Sequence, residues 1–259
     1  SVSALAKKLK KSKQFISYRM QRLEEEKIVA GYHAIVDMSK LGYTTYRIYL
    51  KLQGILEEEE KQLLAFLEEK ENIWTIARLH GTWDVAFFIG VKTITEFHEV
   101  WDEFLNQFHE YIKDERIAVY APIHNHNRQF FMTTKNERIT RIYGVGDAVN
   151  YDKTDLEIIR TYCTNVCKPI IEIAKELGVS PNTIINRIKR LEKEKVIIGY
   201  KLDMNLAPLG FEGYRIDIHL RSYHERKTLQ EYCKQHKYIY QHMDTIGGSD
   251  FELAIIVKD

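Results

Sequence analysis

The segment SPNTIINRIKRLEKEK carries polar side chains at helical spacing, opposite an apolar stripe. Ser180 is the predicted N-cap, and Pro181 suits the first helical position. If Ile184, Ile188 and Leu191 point inward, the outward or flanking side chains are Asn182, Thr183, Asn186, Arg187, Lys189 and Arg190. Amides and hydroxyls hydrogen-bond to base edges, whereas guanidinium and ammonium groups bind phosphates. Together with Ser180, this face has the chemistry of a nucleic-acid reader.

The same pattern occurs 168 residues earlier in the chain. Residues 3–54 align without a gap with residues 171–222, and 19 of the 52 positions are identical. Chance would give about three identities on ordinary residue usage. The chain is therefore a duplication, in which we call residues 1–134 copy one and residues 151–259 copy two. The corresponding candidate residues of copy one are Lys13, Gln14, Tyr18, Arg19, Gln21 and Arg22.

The overall charge excludes a protein that is basic throughout. The 259 residues suffice for about two domains, and 38 Lys+Arg against 37 Asp+Glu give a net charge of +1. Residues 1–23 nevertheless contain seven basic residues and no acidic one, so a basic surface is local. No apolar run approaches the ~18 residues of a membrane-spanning helix, and the three cysteines form no CxxC pair. We expect a cytoplasmic protein with no membrane contact, no bound metal and no cofactor.

Each candidate face belongs to the third of three short predicted helices, which a strand follows. In copy two the segments are YDKTDLEIIRTYCTN, PIIEIAKELG, SPNTIINRIKRLEKEK and the strand VIIGYKLDM. This order is typical of a winged helix-turn-helix. After Gly42 the pattern becomes βαββαβ, which predicts a ferredoxin-like antiparallel sheet with two helices on one face. The other face is apolar, and a second sheet is expected to cover it.

The predicted fold is α+β, with winged helix-turn-helix and ferredoxin-like domains repeated twice. The helix-turn-helix domains are predicted at residues 1–38 and 151–206, and the ferredoxin-like domains at 43–134 and 211–259. Residues 135–150 are interpreted as a linker. The first helix of copy one and the last helix and strand of copy two would fall beyond the sequence. Truncation at both ends is therefore expected.

The repeated segment resembles the helix-turn-helix signature of the leucine-responsive and asparagine-synthase regulators, the Lrp/AsnC family. That signature resembles S-x-x-x-V-x-x-R-V-x-x-L-E-x-x-G-V-I-x-G-Y, followed by L-G. Copy two matches it at Ser180, Ile184, Arg187, Ile188, Leu191, Glu192, Val196, Ile197, Gly199, Tyr200, Leu209 and Gly210. Copy one matches it at Ser12, Ile16, Arg19, Met20, Leu23, Glu24, Ile28, Val29, Gly31, Tyr32, Leu41 and Gly42. Lys27 and Lys195 stand where the family usually has Gly.

The resemblance implies a prokaryotic, sequence-specific transcriptional regulator that binds double-stranded DNA. Two fused modules would supply two DNA-reading helices without a second chain. The helices differ, because Phe15 and Tyr18 occupy the places of Thr183 and Asn186. This difference favours an asymmetric operator.

In this family the ferredoxin-like domain, called RAM, dimerises and in many members binds an amino acid near the turn between its middle strands. The resemblance places an effector site at His80, Gly81, Thr82, Trp83 and Asp84, which is close to the family pattern G-x-[YW]-D. In copy two the glycine of GGSDFE is predicted to lie one place out of register, so an effector site is not expected there. The fusion also implies an intramolecular pseudo-dimer of RAM domains, and it leaves a further homo-oligomer open.

Two other interpretations remain open at this level. Sirohaem decarboxylases resemble the family in carrying the same two domains, and they act on a tetrapyrrole through His and Arg residues. His124, His126 and Arg128 are compatible with that chemistry, although the Gly-Thr-Trp-Asp turn is regulator-like. His124 and His126 also alternate as a metal pair would, but no Cys or carboxylate lies nearby at a zinc spacing. A metabolite sensor that binds only protein is disfavoured by the basic residues 1–23.

Overall fold

The computed structural model describes residues 2–131 and 138–258, which fall into two compact units. The helical unit comprises Ser1–Val36, Tyr151–Gly213 and Val257–Asp259, and the sheet unit comprises Asp37–Asn150 and Tyr214–Ile256. Both helix-turn-helix segments therefore belong to one unit, and both ferredoxin-like segments belong to the other. Residues 132–137, at the predicted border between RAM domain and linker, lie outside the described residues.

The elements follow one another in an order that repeats. Copy one contains α1 (Val2–Leu9), α2 (Lys13–Glu25), β1 (Val29–Val36), β2 (Thr44–Leu52), α3 (Glu57–Glu69), β3 (Ile73–Arg78), β4 (Val85–Val91), α4 (Ile94–Phe108) and β5 (Ile112–His126). Strand β6 (Thr140–Tyr143) lies between the copies. Copy two contains α5 (Lys153–Tyr162), α6 (Ile170–Leu177), α7 (Pro181–Lys193), β7 (Ile197–Met204), β8 (Phe211–Ile218), α8 (Arg226–Gln235), β9 (Ile239–Ile246) and β10 (Phe251–Lys258). The bounds of α1, α2 and β1 recur 168 residues later as those of α6, α7 and β7.

Helices α2 and α7 carry the predicted DNA-reading faces and are called the recognition helices below. A serine N-cap fixes the start of each. The Ser12 hydroxyl accepts a hydrogen bond from the Phe15 N–H, and that of Ser180 accepts one from the Thr183 N–H, both at 3.1 Å. Such caps satisfy N–H groups that have no partner within the helix. In α7 the predicted inward residues Ile184, Ile188 and Leu191 are buried, which confirms the stripe.

Strands β1 and β7 pair with each other and join the two helix-turn-helix segments of the helical unit. The pairing is antiparallel, and His33 lies opposite Lys201. Because these two residues are 168 positions apart, they are each other's counterparts in the repeat. The neighbouring pairs, Tyr32 with Leu202 and Ala34 with Tyr200, exchange places under the same shift. The two helix-turn-helix segments are therefore related by a local two-fold axis through the His33–Lys201 pair.

The sheet unit confirms the ferredoxin-like prediction. Its main sheet has the strand order β3-β4-β2-β5-β9-β10-β8, and β6 pairs with β5 beside it. In copy one the order β2-α3-β3-β4-α4-β5 is the predicted βαββαβ sequence. Helices α3 and α4 cover one face, where Ile48, Leu50, Leu63, Phe87 and Phe104 form the core.

The sheet folds back on itself, so that the face without helices is also covered. Arg116 on β5 forms an ion pair with Asp217 on β8 at 3.0 Å, although these strands are not neighbours in the sheet. The Tyr120 hydroxyl on β5 likewise accepts a hydrogen bond from Arg215 on β8 at 3.0 Å. Strand β8 of copy two thus lies against the face of copy one that has no helices.

A buried charge cluster lies between those faces. The Arg47 guanidinium donates hydrogen bonds to the Tyr120 hydroxyl and the Glu252 carboxylate, and the side chains of Arg47 and Glu252 are both fully buried. The guanidinium carbon lies 3.9 Å from the centre of the Tyr49 ring. Arg215, the repeat counterpart of Arg47, approaches the same carboxylate at 4.0 Å. One carboxylate therefore compensates two arginines that the repeat places symmetrically.

The interpretation of residues 135–150 as a linker is wrong for part of that segment. Strand β6 lies within it, and its Thr140–Tyr143 pair with β5 from His126 back to Ile123. Strand β5 extends beyond the residues that pair with β2. Its backbone groups from Ile123 to His126 pair with β6 instead. The Arg138 side chain also donates hydrogen bonds to the carbonyls of His236 and Cys233, at 2.9 and 3.0 Å. The segment is therefore part of the sheet unit.

Candidate nucleic-acid interface

The predicted reading faces of α2 and α7 are largely open to solvent. Helix α2 exposes Lys13, Gln14, Tyr18, Arg19, Gln21 and Arg22, and helix α7 exposes Asn182, Asn186 and Lys189. Gln14 and Tyr18 are the repeat counterparts of Asn182 and Asn186. Side chains four residues apart lie on one helix face. Each copy therefore presents a pair of polar side chains on the same side of its helix.

Arg187 and Arg190 are held by carboxylates of α5. Arg187 donates to Asp152 at 2.5 Å and to Asp155 at 3.1 Å, while Arg190 donates to the second oxygen of Asp155. The Asp155 side chain is fully buried. The Arg187 hydrogen bond holds the pKa of Asp152 below its usual range. These arginines clamp α5 against α7. A helix arginine can pair with an acidic neighbour such as Glu192 instead of phosphate; here the partners are Asp152 and Asp155.

Other candidates also have contacts within the protein. Ser180 is the N-cap of α7, and its hydroxyl lies 2.8 Å from that of the half-buried Thr183. Gln21 donates to Glu25 at 2.8 Å, and Arg22 donates to Glu26 at 2.5 Å. The last two contacts are solvent-exposed, and such surface pairs exchange readily with other partners. Gln21 and Arg22 thus stay accessible, whereas Ser180 is occupied.

A tyrosine–glutamate hydrogen bond explains the spacing of the repeated signature. The Tyr32 hydroxyl donates to Glu24 at 2.7 Å, and the Tyr200 hydroxyl donates to Glu192 at 2.5 Å. Burial and the neighbouring carboxylate raise the pKa of both tyrosines, so each hydroxyl keeps its proton. The Gly-Tyr pair of each strand is therefore tied to the Leu-Glu pair of the preceding helix. This contact fixes the orientation of α2 relative to β1 and that of α7 relative to β7.

Lys195 adopts a left-handed backbone conformation at the place where the family usually has glycine. Its φ is +61°, and that of Lys27 is +53°. This conformation costs a non-glycine residue ~1–2 kcal/mol, and the greater freedom of glycine in the unfolded chain offsets part of that gain. We expect Lys195→Gly to raise the free energy of unfolding by ~0.5–1 kcal/mol. Urea denaturation measures the change. The control Lys189→Gly, inside α7, should lower it by ~1 kcal/mol; a loss with both variants would contradict the prediction.

The predicted effector turn is anchored at one end and open at the other. The Asp84 carboxylate accepts hydrogen bonds from the Lys51 ammonium and the Leu52 N–H, both at 2.8 Å. Although burial raises the pKa of Asp84, these two donors keep it below its usual range. Trp83 is buried against the Tyr49 ring, whereas His80, Gly81 and Thr82 are exposed. The turn therefore presents backbone and His80 to solvent on a rigid base.

The structure corrects the register of the same turn in copy two. Ala77 pairs with Ala86 and Met243 pairs with Glu252, so both hairpins enclose eight residues. Asp250 accepts from the Leu220 N–H at 2.9 Å, just as Asp84 accepts from its counterpart, the Leu52 N–H. The repeat offset is therefore 166 here, because copy two is two residues shorter between β8 and β9.

With this offset Gly247 of copy two is the counterpart of Gly81 of copy one. The one-place shift that was predicted from the sequence is therefore wrong. Both glycines have positive φ, at +86° and +130°. The real difference is at the aromatic position. Ser249 replaces Trp83, and its buried hydroxyl donates to the Phe251 carbonyl at 3.2 Å.

Three histidines meet where β5 pairs with β9. His126 Nε2 lies 3.0 Å from His242 Nδ1, and its Nδ1 lies 2.8 Å from the Thr140 hydroxyl. The His124 ring stacks on that of His242 with centroids 4.3 Å apart. His242 is fully buried and His126 nearly so. Burial, together with nearby cationic groups, lowers the pKa of His126 to about 4 and that of His242 to about 3.

Because these pKa values lie below the ordinary 6.5, the unfolded chain takes up protons before the folded protein does. Stability is therefore complete above about pH 6.5 and falls as the pH decreases towards 4. We expect the melting temperature to fall over that interval. His242→Leu should show a shallower fall between pH 6.5 and 5, where few carboxylates titrate. Calorimetry at several pH values provides the measurement, and equal slopes for the two proteins would contradict it.

Neither a metal centre nor a membrane span stands out in the described part of the chain. Among residues 2–131 and 138–258, no three His, Cys, Asp or Glu side chains are grouped to hold a metal ion. No helix in these ranges has the length and hydropathy needed to cross a membrane.

Known DNA-binding proteins are similar in sequence to parts of this chain. The family described as winged helix-turn-helix DNA-binding matches residues 151–198. The HTH-type transcriptional regulator Ptr1 of Methanocaldococcus jannaschii is 34% identical over 109 residues, which cover 42% of this chain and 73% of Ptr1. The regulatory protein AsnC of Escherichia coli is 33% identical over 72 residues, which cover 27% of this chain and 47% of AsnC.

The likeness to solved structures extends over nearly the whole chain in the following case. The structure is that of the siroheme decarboxylase NirDL, with a TM-score of 0.62 and 14% sequence identity, covering 99% of this chain and 76% of that one. At this identity the likeness concerns the fold alone, and it extends to both copies. The sequence relationship to Ptr1 spans most of that regulator, with the signature residues in place in both copies. The chain therefore belongs to the Lrp/AsnC family of helix-turn-helix transcriptional regulators.

Proposed function

We propose that this protein is a sequence-specific transcriptional regulator that reads one double-stranded DNA site with α2 and α7 of the same chain. The pairing of β1 with β7 about the His33–Lys201 axis carries the proposal. It relates the two recognition helices by a two-fold axis, which is the arrangement that paired half-sites require. A single polypeptide thus provides what family members with one module obtain from two.

The exposed residues divide by chemistry. Asn182 and Asn186, with Gln14 and Tyr18 in copy one, suit base edges, because their polar groups are exposed and lie on one helix face. Phosphate contacts are assigned to the exposed cations Lys13, Arg19, Arg22 and Lys189. Arg187 and Arg190 position α5 instead, since their donors are taken by carboxylates. Gln21 lies beside the base-reading pair and takes a supporting role.

The turn at residues 80–84 is our candidate site for a small-molecule effector such as an amino acid. Gly81 has a positive φ, and the exposed His80 and Thr82 flank it. The Lys51–Asp84 ion pair holds the base of the turn. A bound ligand could thus be sensed where β4 meets β2, next to the ring of Tyr49 at the interface between the RAM copies.

The histidines that suggested a tetrapyrrole enzyme do not support that alternative. His126 is 2% exposed, and its ring nitrogens face Thr140 and His242. His124 stacks on His242. Arg128 is partly exposed, with its guanidinium carbon 5.9 Å from the centre of the Tyr240 ring. The decarboxylase interpretation therefore rests on the fold and on Arg128, and the experiment below tests it.

The test is selection of the intact chain against a pool of random DNA duplexes, followed by sequencing and a salt titration of the enriched sites. We expect a two-part motif whose log K falls linearly with log[salt], with a slope of about −0.9 for each phosphate contact. Absence of enrichment at low salt would overturn the regulator function. Absorbance titration with a sirohaem-type tetrapyrrole would then test the enzyme, with a Soret shift as the readout.

A further inference from the structure

We propose that the two copies make different contacts with one operator. Helix α7 of copy two contacts the base edges, and copy one binds mainly the phosphate groups of the DNA. This inference rests on the proposed function and concerns the chemistry of each half-site. The local two-fold axis gives both helices equivalent positions. Any difference between the half-sites must therefore come from the side chains.

The two copies carry very different charge on equivalent surfaces. Residues 1–23 contain seven basic and no acidic residues, whereas the equivalent residues 169–191 contain four basic and two acidic residues. Two of those four, Arg187 and Arg190, are clamped by Asp152 and Asp155. Only Lys175 and Lys189 remain to face phosphates from that stretch. The electrostatic footprint on DNA therefore lies on copy one.

The copy-one cations are available for DNA. Within residues 2–131 and 138–258 no carboxylate forms an ion pair with Lys7, Lys8, Lys10, Lys11 or Lys13, and all five are exposed. Lys11 lies 5.7 Å from the centre of the exposed Phe15 ring. Each of these cations can release a counterion when it meets a phosphate.

The base-reading chemistry is concentrated on copy two. Asn182 and Asn186 are exposed, and an amide side chain can form a bidentate pair with adenine in the major groove. Helix α2 of copy one has two amides, Gln14 and Gln21, of which Gln21 donates a hydrogen bond to Glu25. It presents Tyr18 and Phe15 where copy two has Asn186 and Thr183. These two rings are 58% and 47% exposed. An aromatic ring can contact the thymine methyl, and such a contact discriminates between bases less than a bidentate amide does.

The inference predicts an operator with one well-defined half and one permissive half. The conserved bases should include adenines facing α7. The permissive half should be pyrimidine-tolerant and should carry most of the salt dependence. A homodimer of identical modules would show equal halves instead.

The test compares the intact wild type with three variants by the same selection and salt titration, after circular dichroism has verified the fold. The base variant Asn182→Ala/Asn186→Ala should lose the conserved half of the motif and keep the wild-type salt slope. The backbone variant Lys8→Gln/Lys11→Gln/Lys13→Gln should keep the motif and reduce the slope by about 2–3. The matched control Lys175→Gln/Lys189→Gln/Lys193→Gln in copy two should change the slope by less than half as much.

The failures are distinguishable. A palindromic motif with equal information in both halves would overturn the division of work while leaving the regulator function intact. Equal slope changes in the two lysine variants would overturn it as well. If the wild type enriches no site and shows no salt-dependent binding, the proposed function itself fails.

Discussion

The Glu252→Leu variant is expected to lose ~3–5 kcal/mol of its free energy of unfolding, because it leaves a buried arginine without a compensating charge. Arg47 and Glu252 are both fully buried, and Arg215 approaches the same carboxylate. The tyrosine hydroxyl that remains beside Arg47 is neutral. Chemical denaturation followed by tryptophan fluorescence measures the change.

A double variant separates uncompensated charge from lost packing. Arg47→Met/Glu252→Leu removes both charges at similar volume, and such replacements are often neutral or stabilising. We expect it to recover more than half of the loss. Should the double variant be as unstable as the single one, the loss would come from packing, and the role given to the charge cluster would be incorrect.

The Asp155→Ala variant should lose ~2–4 kcal/mol, since a buried carboxylate then no longer holds two guanidinium groups. Asp155 accepts from Arg187 and Arg190, and it also accepts from the Asp152 N–H at 3.0 Å in the cap of α5. Loss of this residue should detach α5 from α7. Thermal unfolding by circular dichroism reports it.

Asp152→Ala provides the matched control on the same helix. Asp152 also binds Arg187, but its side chain is about half exposed and its main contribution is the N-cap of α5. Its replacement should cost ~1 kcal/mol. Equal losses from both variants would show that capping, rather than the buried clamp, determines the stability of this helix pair.

The sequence predicted the local elements well because their ends are encoded locally. Ser12 and Ser180 cap the recognition helices, and Gly178 ends α6 in a left-handed conformation. Copy one places Lys10 at the position of Gly178, with φ of +52°, and ends its helix at the same place. The bounds of a helix or strand in one copy therefore predicted those of its counterpart in the other copy.

The partners of the charged side chains could not be predicted in the same way. Helical periodicity tells which face a residue occupies, but a guanidinium suits a phosphate or a carboxylate equally well. A signal was nevertheless present. Asp152 and Asp155 are one helical turn apart, as are Arg187 and Arg190, so the two pairs match in spacing. The turn of copy two was misaligned because the repeat offset changes from 168 to 166 along the chain.

The His33–Lys201 axis also bears on how such a protein changes over generations. In a homodimer every substitution appears on both sides of the axis, so a reader and its half-site must change in pairs. Here the residues facing each other across the axis are already different, histidine on one strand and lysine on the other. A mutation in one recognition helix leaves the other untouched. Each half of the DNA site can therefore change in sequence independently of the other. The duplication removes the requirement that the two half-sites stay identical.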